Sequence, residues 1–260
     1  MIARRSMIAL GFAAPLAAAL VAALTLASPA SPVTGLKYPD LGMARLTDLQ
    51  IDKPSDGRTL LRFSATIVNV GEGPFELFAT RSSGSSFSVV QRVYGSDGSV
   101  SNATPGVQLS WGGDGHNHFH VNNLETYELL RLDNGVKVGT GAKAGFCFYD
   151  TTFYRTLPGS PLSSVYHPGT ACAHDNPNAT EVTLGVSVGW GDTYGFWLPG
   201  QWIDVTNLSD GKYRLRATAD PDGWFTELND TNNSTWVDIA LTTHRKHGTR
   251  IRVIAYGPNA

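Results

Sequence analysis

Three of the chain's seven histidines stand at alternate positions, a spacing that could place three metal ligands together. In an extended strand, side chains at i, i+2 and i+4 point to one face, so His116, His118 and His120 would present three imidazoles to one point while Phe119 faces the other way. Zinc, copper, nickel and iron all accept imidazole, so the triplet predicts a metal site without identifying the metal. The alternative is a solvated histidine-rich loop, although neutral imidazoles gain little from clustering and charged ones repel.

The sequence pattern predicts that β-strands position these side chains. Apolar and polar residues alternate from 61 to 67, and an Asp133-Asn134-Gly135 hairpin signal, typical of a type I′ turn, separates two further apolar runs. No convincing amphipathic helix is present. We therefore expect an all-β, mostly antiparallel β-sandwich of about ten strands with long connecting loops and little helix. The predicted strands are residues 61–67, 75–79, 89–94, 127–132, 136–138, 183–190, 201–205, 213–219, 235–241 and 250–256.

The N-terminal residues have the pattern of an export signal. Arg4 and Arg5 precede an apolar run from Met7 to Leu26, and small residues and prolines follow. This predicts a signal peptide over residues 1–30, a catalytic domain over 31–260, and a secreted or extracytoplasmic protein with no stable membrane insertion after cleavage. An uncleaved anchor is the alternative, because the run is long enough to span a membrane.

The two cysteines and the charge refine this picture. An even cysteine count in an oxidising compartment predicts a disulfide between Cys147 and Cys172, near the ends of a Pro-, Gly- and Ser-rich connection over residues 151–178. The formal net charge is −2, and loss of Arg4 and Arg5 with the signal makes it −4. No basic patch points to nucleic acid as a partner.

Several blocks of sequence, taken together, resemble the lysyl oxidase family of extracellular copper amine oxidases. They run from Leu36 to Tyr256, nearly the whole predicted mature chain. Compared with animal members of the family, the segment between Lys143 and Tyr194 is longer and most cysteines are missing. The blocks are Pro39-Asp40-Leu41, Leu61-Arg62-Phe63, His116-Asn117-His118-Phe119-His120 after Trp111, Lys143-Ala144-Gly145-Phe146-Cys147, Asp150-Thr151, Asp192-Thr193-Tyr194, Gln201-Trp202-Ile203-Asp204-Val205-Thr206 and Asn232-Asn233.

The resemblance implies chemistry that the histidines alone do not. It implies Cu(II) bound by the triplet, and a lysine tyrosylquinone cofactor built from Tyr194 as the ring and Lys143 as the amine. The expected reaction is oxidative deamination of a primary amine, either a lysyl side chain or a small amine or polyamine. Dioxygen would be consumed, and an aldehyde, ammonia and hydrogen peroxide released. The resemblance also makes Asp192 a candidate catalytic base, and the alternative is that Asp192 is a turn residue.

A second cluster near the C-terminus is rich in oxygen ligands. Calcium binds six to eight oxygens from carboxylates, amides and carbonyls. The resemblance implies a structural calcium here, and the alternative is a polar hairpin turn. The implied ligands are Asp40, the Leu41 carbonyl, Glu227, Asn229, Asn232 and Asn233.

Two other functions fit parts of the pattern. The spacing of Gly112, His118, His120 and Glu125 matches the first cupin motif, although the second cupin motif has no match downstream. The other alternative is a secreted copper-binding protein in which Tyr194 stays an unmodified tyrosine.

Overall fold

The alternating segment predicted over residues 61–67 forms the central strand of the molecule. Leu61, Phe63, Ala65 and Ile67 are all fully buried along the strand Leu60–Asn69. The computed structural model describes residues 35–112, 116–246 and 248–260. The predicted signal peptide therefore lies outside the described residues.

Nineteen strands are assigned within the described ranges, and no helix. In chain order they are β1 Leu36–Lys37, β2 Leu41–Met43, β3 Thr47–Asp52, β4 Leu60–Asn69, β5 Phe75–Ser83, β6 Ser86–Gly95, β7 Val100–Ala103, β8 Leu109–Trp111, β9 Phe119–Asn122, β10 Glu125–Arg131, β11 Lys137–Thr140, β12 Gly145–Phe146, β13 Thr152–Phe153, β14 Glu181–Val186, β15 Trp190–Tyr194, β16 Trp202–Asp204, β17 Gly211–Ala219, β18 Ser234–His244 and β19 Gly248–Tyr256.

These strands form four sheets, and all their pairings are antiparallel. Strand β4 is the hub of a six-stranded sheet, where it pairs with β2, β3, β15 and β16 while β13 pairs with β15. A five-stranded sheet in the order β11-β10-β17-β18-β19 lies against it, and the Phe63 and Tyr127 rings, 4.9 Å apart, join the two inner faces. The remaining sheets are β1-β6-β5-β14 with β7 on β6, and β12-β9-β8.

Two pairings position the residues that the sequence singles out. Strand β12 pairs with β9, which places Gly145 and Phe146 beside the histidine-bearing segment. Strand β15 pairs with β4, so Asp192 lies opposite Ile67 and Tyr194 opposite Ala65. The candidate site is therefore built on strands anchored in the core rather than on isolated loops.

The all-β class is confirmed, while its details differ from the prediction. Many strands have only two to four residues, too few for an alternating pattern to show in the sequence. The predicted strand 183–190 is interrupted after Val186 and resumes at Trp190. The hairpin between β10 and β11 exists, but its turn is not type I′, because only Gly135 of that turn has a positive φ (70°).

The long connection after β12 is held by the predicted disulfide. Cys147 and Cys172 are bonded, 25 residues apart in sequence, which confirms that prediction. Over residues 151–178 the only strand is β13, so this segment is the long loop that the sequence indicates. A search of the described residues found no helix long and apolar enough to cross a membrane.

Candidate active site

The three histidines converge at the end of the β8–β9 hairpin. The Gly112 N–H donates to the His118 carbonyl (2.8 Å), and Phe119 packs its buried ring against Trp111 (centroids 5.0 Å). Of the three histidines only His120 belongs to a strand, because β9 begins at Phe119 and the extended conformation expected from His116 to His120 covers only the last two of those residues. The rings still gather, because the hairpin fold brings the preceding residues onto the same side.

The imidazoles are spaced as ligands of one ion. Ring centroids lie 5.1 Å apart for His116 and His118, 4.6 Å for His118 and His120, and 5.6 Å for His116 and His120. Each ring offers a nitrogen within 4.8 Å of the other two, and the Nε2 atoms of His118 and His120 are 2.8 Å apart. Imidazole nitrogens lie about 2 Å from a bound transition metal, so the nitrogens of two neighbouring ligands lie roughly as far apart as the Nε2 atoms of His118 and His120. The donor set fits a copper ion.

Lys143 and Tyr194 come together in the same cavity, although they are distant in sequence. The Lys143 Nζ lies 5.2 Å from the Tyr194 ring centroid and 5.3 Å from the Phe146 ring centroid. Both the lysine and the tyrosine are buried. The Tyr194 hydroxyl donates to the Cys147 carbonyl (3.0 Å), and its ring stands edge-on to Phe146. These contacts fix the ring of Tyr194 with the Lys143 amine at its side.

Asp192 precedes Tyr194 by two residues on β15 and lines the same cavity. Its carboxylate is almost fully buried, and Oδ2 accepts no hydrogen bond. Burial raises the pKa of Asp192 to about 7, against the opposing effects of the Tyr194 and Thr151 hydroxyls and of Lys143. Burial, reinforced by the Asp192 charge, raises the pKa of Tyr194 well above its usual value. A carboxyl group that titrates near neutrality suits a general base.

The cavity that contains these groups has a volume of about 480 Å³. Trp197 lies at the wall of the cavity, and 66% of its surface is exposed. Its indole packs over Gly195, where an added Cβ would come within 2.6 Å of three indole atoms. The cavity is lined by His116, His118, His120, Lys143, Cys147, Tyr149, Thr151, Thr152, Asp192, Thr193, Tyr194, Trp197 and Leu198.

A buried polar cluster that no sequence motif indicates interacts with this site. Both carboxylate oxygens of Glu125, the Tyr127 hydroxyl and the side-chain amide of Gln201 are buried and make no hydrogen bond. Burial raises the pKa of Glu125 to about 8; the Asp192 charge adds to this, while Tyr127 and Lys143 oppose it. The signals in the sequence were weak, since Glu125 stood out only in the cupin spacing and Gln201 only within a matched block.

A fourth histidine also comes to the site. The spacing of His174 in the sequence fits no cupin motif, yet its ring centroid lies 4.5 Å from that of His118. It belongs to the long connection held by the disulfide, so only the tertiary structure brings it to the site.

The six residues of the expected calcium site are only partly joined. The Asn232 amide donates to Asp40 (2.7 Å), and both Asn233 and the Leu41 N–H donate to Glu227. The side-chain oxygens of Asn232 and Asn233 are buried and accept no hydrogen bond. Burial raises the pKa of Glu227 to about 8.

Asn229 stands apart from that arrangement. Its side-chain oxygen accepts hydrogen bonds from the Thr231 N–H (3.1 Å) and hydroxyl (2.7 Å), which caps a local turn. This contact is what a polar turn predicts, and it occupies an oxygen that a cation would need.

The chain matches known proteins across this site. The family model "Lysyl oxidase" matches residues 101–250. Human protein-lysine 6-oxidase is 32% identical over 142 residues, which cover 54% of this chain and 30% of that protein. Lysyl oxidase homolog 3A of Danio rerio is 29% identical over 196 residues, 75% of this chain and 21% of that protein. Human lysyl oxidase homolog 3 is 28% identical over 192 residues, 74% of this chain and 20% of that protein.

The chain spans less than a third of the length of these three relatives. The matched region nevertheless covers more than half of this chain, and it contains the histidine triplet, Lys143, Asp192 and Tyr194. The chain belongs to the lysyl oxidase family.

Proposed function

We propose that this protein is a copper-dependent amine oxidase that deaminates primary amines oxidatively. The observation that carries the proposal is the position of the Lys143 Nζ, 5.2 Å from the centre of the Tyr194 ring, in the cavity that the three histidines line. The name of the human relative, protein-lysine 6-oxidase, supports lysyl amines as the substrate class. Small amines or polyamines are the alternative substrates.

His116, His118 and His120 would hold the copper ion. When bound, copper supplies the redox chemistry with dioxygen that makes a quinone from tyrosine, and the quinone supplies an electrophile for amine oxidation, which yields an aldehyde, ammonia and hydrogen peroxide. Tyr194 provides the ring, and Lys143 provides the amine that crosslinks to it.

Three features of the chain's own residues serve this chemistry. The Lys143 Nζ lies 5.2 Å from the centre of the Tyr194 ring, so it needs only a short movement to reach a ring carbon. Asp192, whose pKa of about 7 is raised by burial, can take up a proton from an amine carbon at neutral pH. The hydrogen bond from Tyr194 to the Cys147 carbonyl fixes the ring plane while Phe146 excludes water from one edge.

The cupin alternative has no support in the site. Within the described residues, two groups of side chains are placed to hold a metal, the histidine triplet and the set of His118, Cys147 and His174, and neither includes Glu125. Glu125 is instead buried with Tyr127 and Gln201. The secreted copper-binding protein remains the second candidate, and it differs in predicting an unmodified Tyr194.

The test is to express the chain without copper, add copper in air, and measure phenylhydrazine-reactive quinone and peroxide release from a primary amine. Wild-type protein should gain both, whereas Lys143→Ala and Tyr194→Phe should bind copper and gain neither. Tyr256→Phe and Lys137→Ala, both on the surface, are the matched controls and should form quinone. Wild-type turnover in Lys143→Ala would refute the proposal.

Two further proposals concern the rest of the molecule. We infer export from the disulfide and from the sequence of residues 1–30, and N-terminal sequencing of protein recovered outside the cell tests it.

A calcium ion beside Asp40 and Glu227 is favoured by the buried, unbonded oxygens of Asn232 and Asn233. Its test is the melting temperature with added calcium, which magnesium should not reproduce; no calcium-specific rise would leave the cluster a polar turn.

A further inference from the structure

A fourth imidazole contacts the histidine cluster from a different part of the chain. The His174 ring is tilted 44° against that of His118, and the two residues offer ring nitrogens within 4.8 Å of each other. The Cys147 sulfur lies within the same distance, but it is bonded to Cys172 and is no thiolate ligand. Imidazole nitrogens are therefore the available donors at this point of the site.

A backbone hydrogen bond orients the ring of His174 in the way that is usual for a metal-binding histidine. Its Nδ1 lies 3.0 Å from the Ala171 carbonyl oxygen, so Nδ1–H donates there and Nε2 keeps its lone pair. Histidines that bind metals commonly donate their second ring N–H to a backbone carbonyl in this way, which fixes both tautomer and orientation. The Tyr149 ring, 5.9 Å away and edge-on, further restricts the imidazole.

Backbone hydrogen bonds fasten the segment with His174 to the histidine hairpin. The Phe119 N–H donates to the Cys172 carbonyl (2.9 Å), and the Asp175 N–H donates to the Asn117 carbonyl (2.7 Å). These two bonds bracket His174 on one segment and His118 on the other. The disulfide from Cys172 to Cys147 adds a covalent link on the same side.

The conformation of this segment is unusual for its residues. Cys172, Ala173 and Asp175 have positive φ angles of 58°, 48° and 57°, a region that residues with a side chain seldom occupy. Such backbone conformations are strained, and they persist only where the surrounding structure imposes them. The three surround His174, so the strain accompanies the placement of this one imidazole.

We propose that His174 is a fourth imidazole ligand of the copper centre, and that the Cys147–Cys172 disulfide holds the His174 segment at the copper site. The inference rests on the proposed function, because it takes the histidine triplet as the copper site. Cu(II) favours square-planar or tetragonal sets of nitrogen and oxygen donors. The triplet supplies three such donors, and His174 supplies the fourth.

The test uses the full chain with Tyr194→Phe, in which no quinone can form and copper binding is measured alone. Copper affinity is determined by competition with a chelator, and the nitrogen ligands are counted from the superhyperfine structure of the Cu(II) EPR spectrum. Adding His174→Ala should weaken copper binding roughly tenfold or more and remove one nitrogen from the spectrum. His167→Ala, an exposed histidine of the same connection, is the matched control and should change neither.

Free imidazole should restore the four-nitrogen spectrum in the His174→Ala protein, a rescue that a merely structural role would not give. Unchanged affinity and an unchanged nitrogen count in His174→Ala would overturn the inference. The His118→Ala variant, measured in parallel, separates the two proposals. If it too binds copper normally, the proposed copper site itself is wrong; if only His174→Ala binds normally, only the further inference fails.

The contribution of the disulfide is tested by the double variant Cys147→Ser/Cys172→Ser. We expect it to weaken copper binding as His174→Ala does, with little additional loss when the two changes are combined. Two results would refute this role of the disulfide: fully additive losses of copper affinity in the combined variant, or wild-type copper affinity without the disulfide. If the double variant does not fold, reduction of the folded protein under native conditions replaces it, with the same two outcomes.

Discussion

Two buried aspartates, Asp150 and Asp192, lie close together in the fold but have opposite surroundings. The Asp150 carboxylate accepts four hydrogen bonds, from the backbone N–H groups of Val165, Tyr166 and Ser187 and from the Ser187 hydroxyl (2.7–3.2 Å). Asp192 leaves Oδ2 without any hydrogen bond, and burial raises its pKa to about 7.

The threonines that follow the two aspartates connect their surroundings. The Thr193 N–H donates to the Thr151 hydroxyl (2.6 Å), and the Thr193 hydroxyl contacts that of Thr152 (2.7 Å). Satisfied hydrogen bonds stabilise a buried charge, whereas a missing partner favours the protonated form. One Asp-Thr pair therefore stabilises the loop, while the other keeps a carboxyl group able to exchange protons.

The largest effect that the comparison predicts concerns catalysis at Asp192. Asp192→Asn keeps the shape of the side chain but removes the base, so turnover should fall by about 10²–10⁴-fold. The measurement is peroxide release at pH 8, expressed per phenylhydrazine-reactive quinone so that cofactor formation is counted separately. Wild-type turnover per quinone would show that Asp192 is not the base.

The second prediction concerns stability at Asp150. Asp150→Asn turns part of the acceptor into a donor facing N–H groups, and each buried donor left unbonded costs about 1–3 kcal/mol. We expect the free energy of unfolding at pH 8 to fall by at least about 3 kcal/mol in guanidinium titrations. Asp192→Asn is the matched variant and should not be destabilised at that pH. Equal losses in both variants would remove the distinction between the two aspartates.

The third prediction concerns the pH dependence of stability at Glu125. Its pKa rises from 4.5 to about 8 on burial, so the folded state binds the proton more tightly than the unfolded state. The free energy of unfolding contributed by this group therefore falls as pH rises from about 4.5 to about 8.

Glu125→Gln lacks this titration. Relative to wild type, its stability should gain about 4 kcal/mol between pH 4.5 and pH 9. Thermal unfolding at both pH values measures the gain, and Glu72→Gln, at an exposed glutamate, is the control. An identical pH dependence in Glu125→Gln and wild type would mean that Glu125 is ionised in the folded protein throughout this range.

Part of this structure could be predicted from the sequence because the signals are local. Alternation along β4 and the absence of amphipathic helices indicate an all-β fold, and the two cysteines indicate their own bond. The histidine triplet is also local, since its spacing predicts convergence even though only His120 lies in a strand. The association of Lys143 with Tyr194 came from the resemblance and not from any local pattern.

The rest depends on tertiary contacts. His174 reaches His118 only through a loop with three left-handed residues and a disulfide, and no spacing rule anticipates such a path. Glu125 and Gln201 come together from β10 and from the residue before β16, where each reads in the sequence as an ordinary strand or loop residue. The two- and three-residue strands likewise form because partners are present, and not because of intrinsic preference.

The central claim is that the Lys143 amine becomes joined to the Tyr194 ring. The most direct measurement is peptide mapping by mass spectrometry of the wild-type protein, before and after copper is added in air. We expect separate peptides for Lys143 and Tyr194 without copper, and one crosslinked peptide with copper that Lys143→Ala abolishes. Separate, unmodified peptides in a copper-loaded protein that oxidises amines would contradict it.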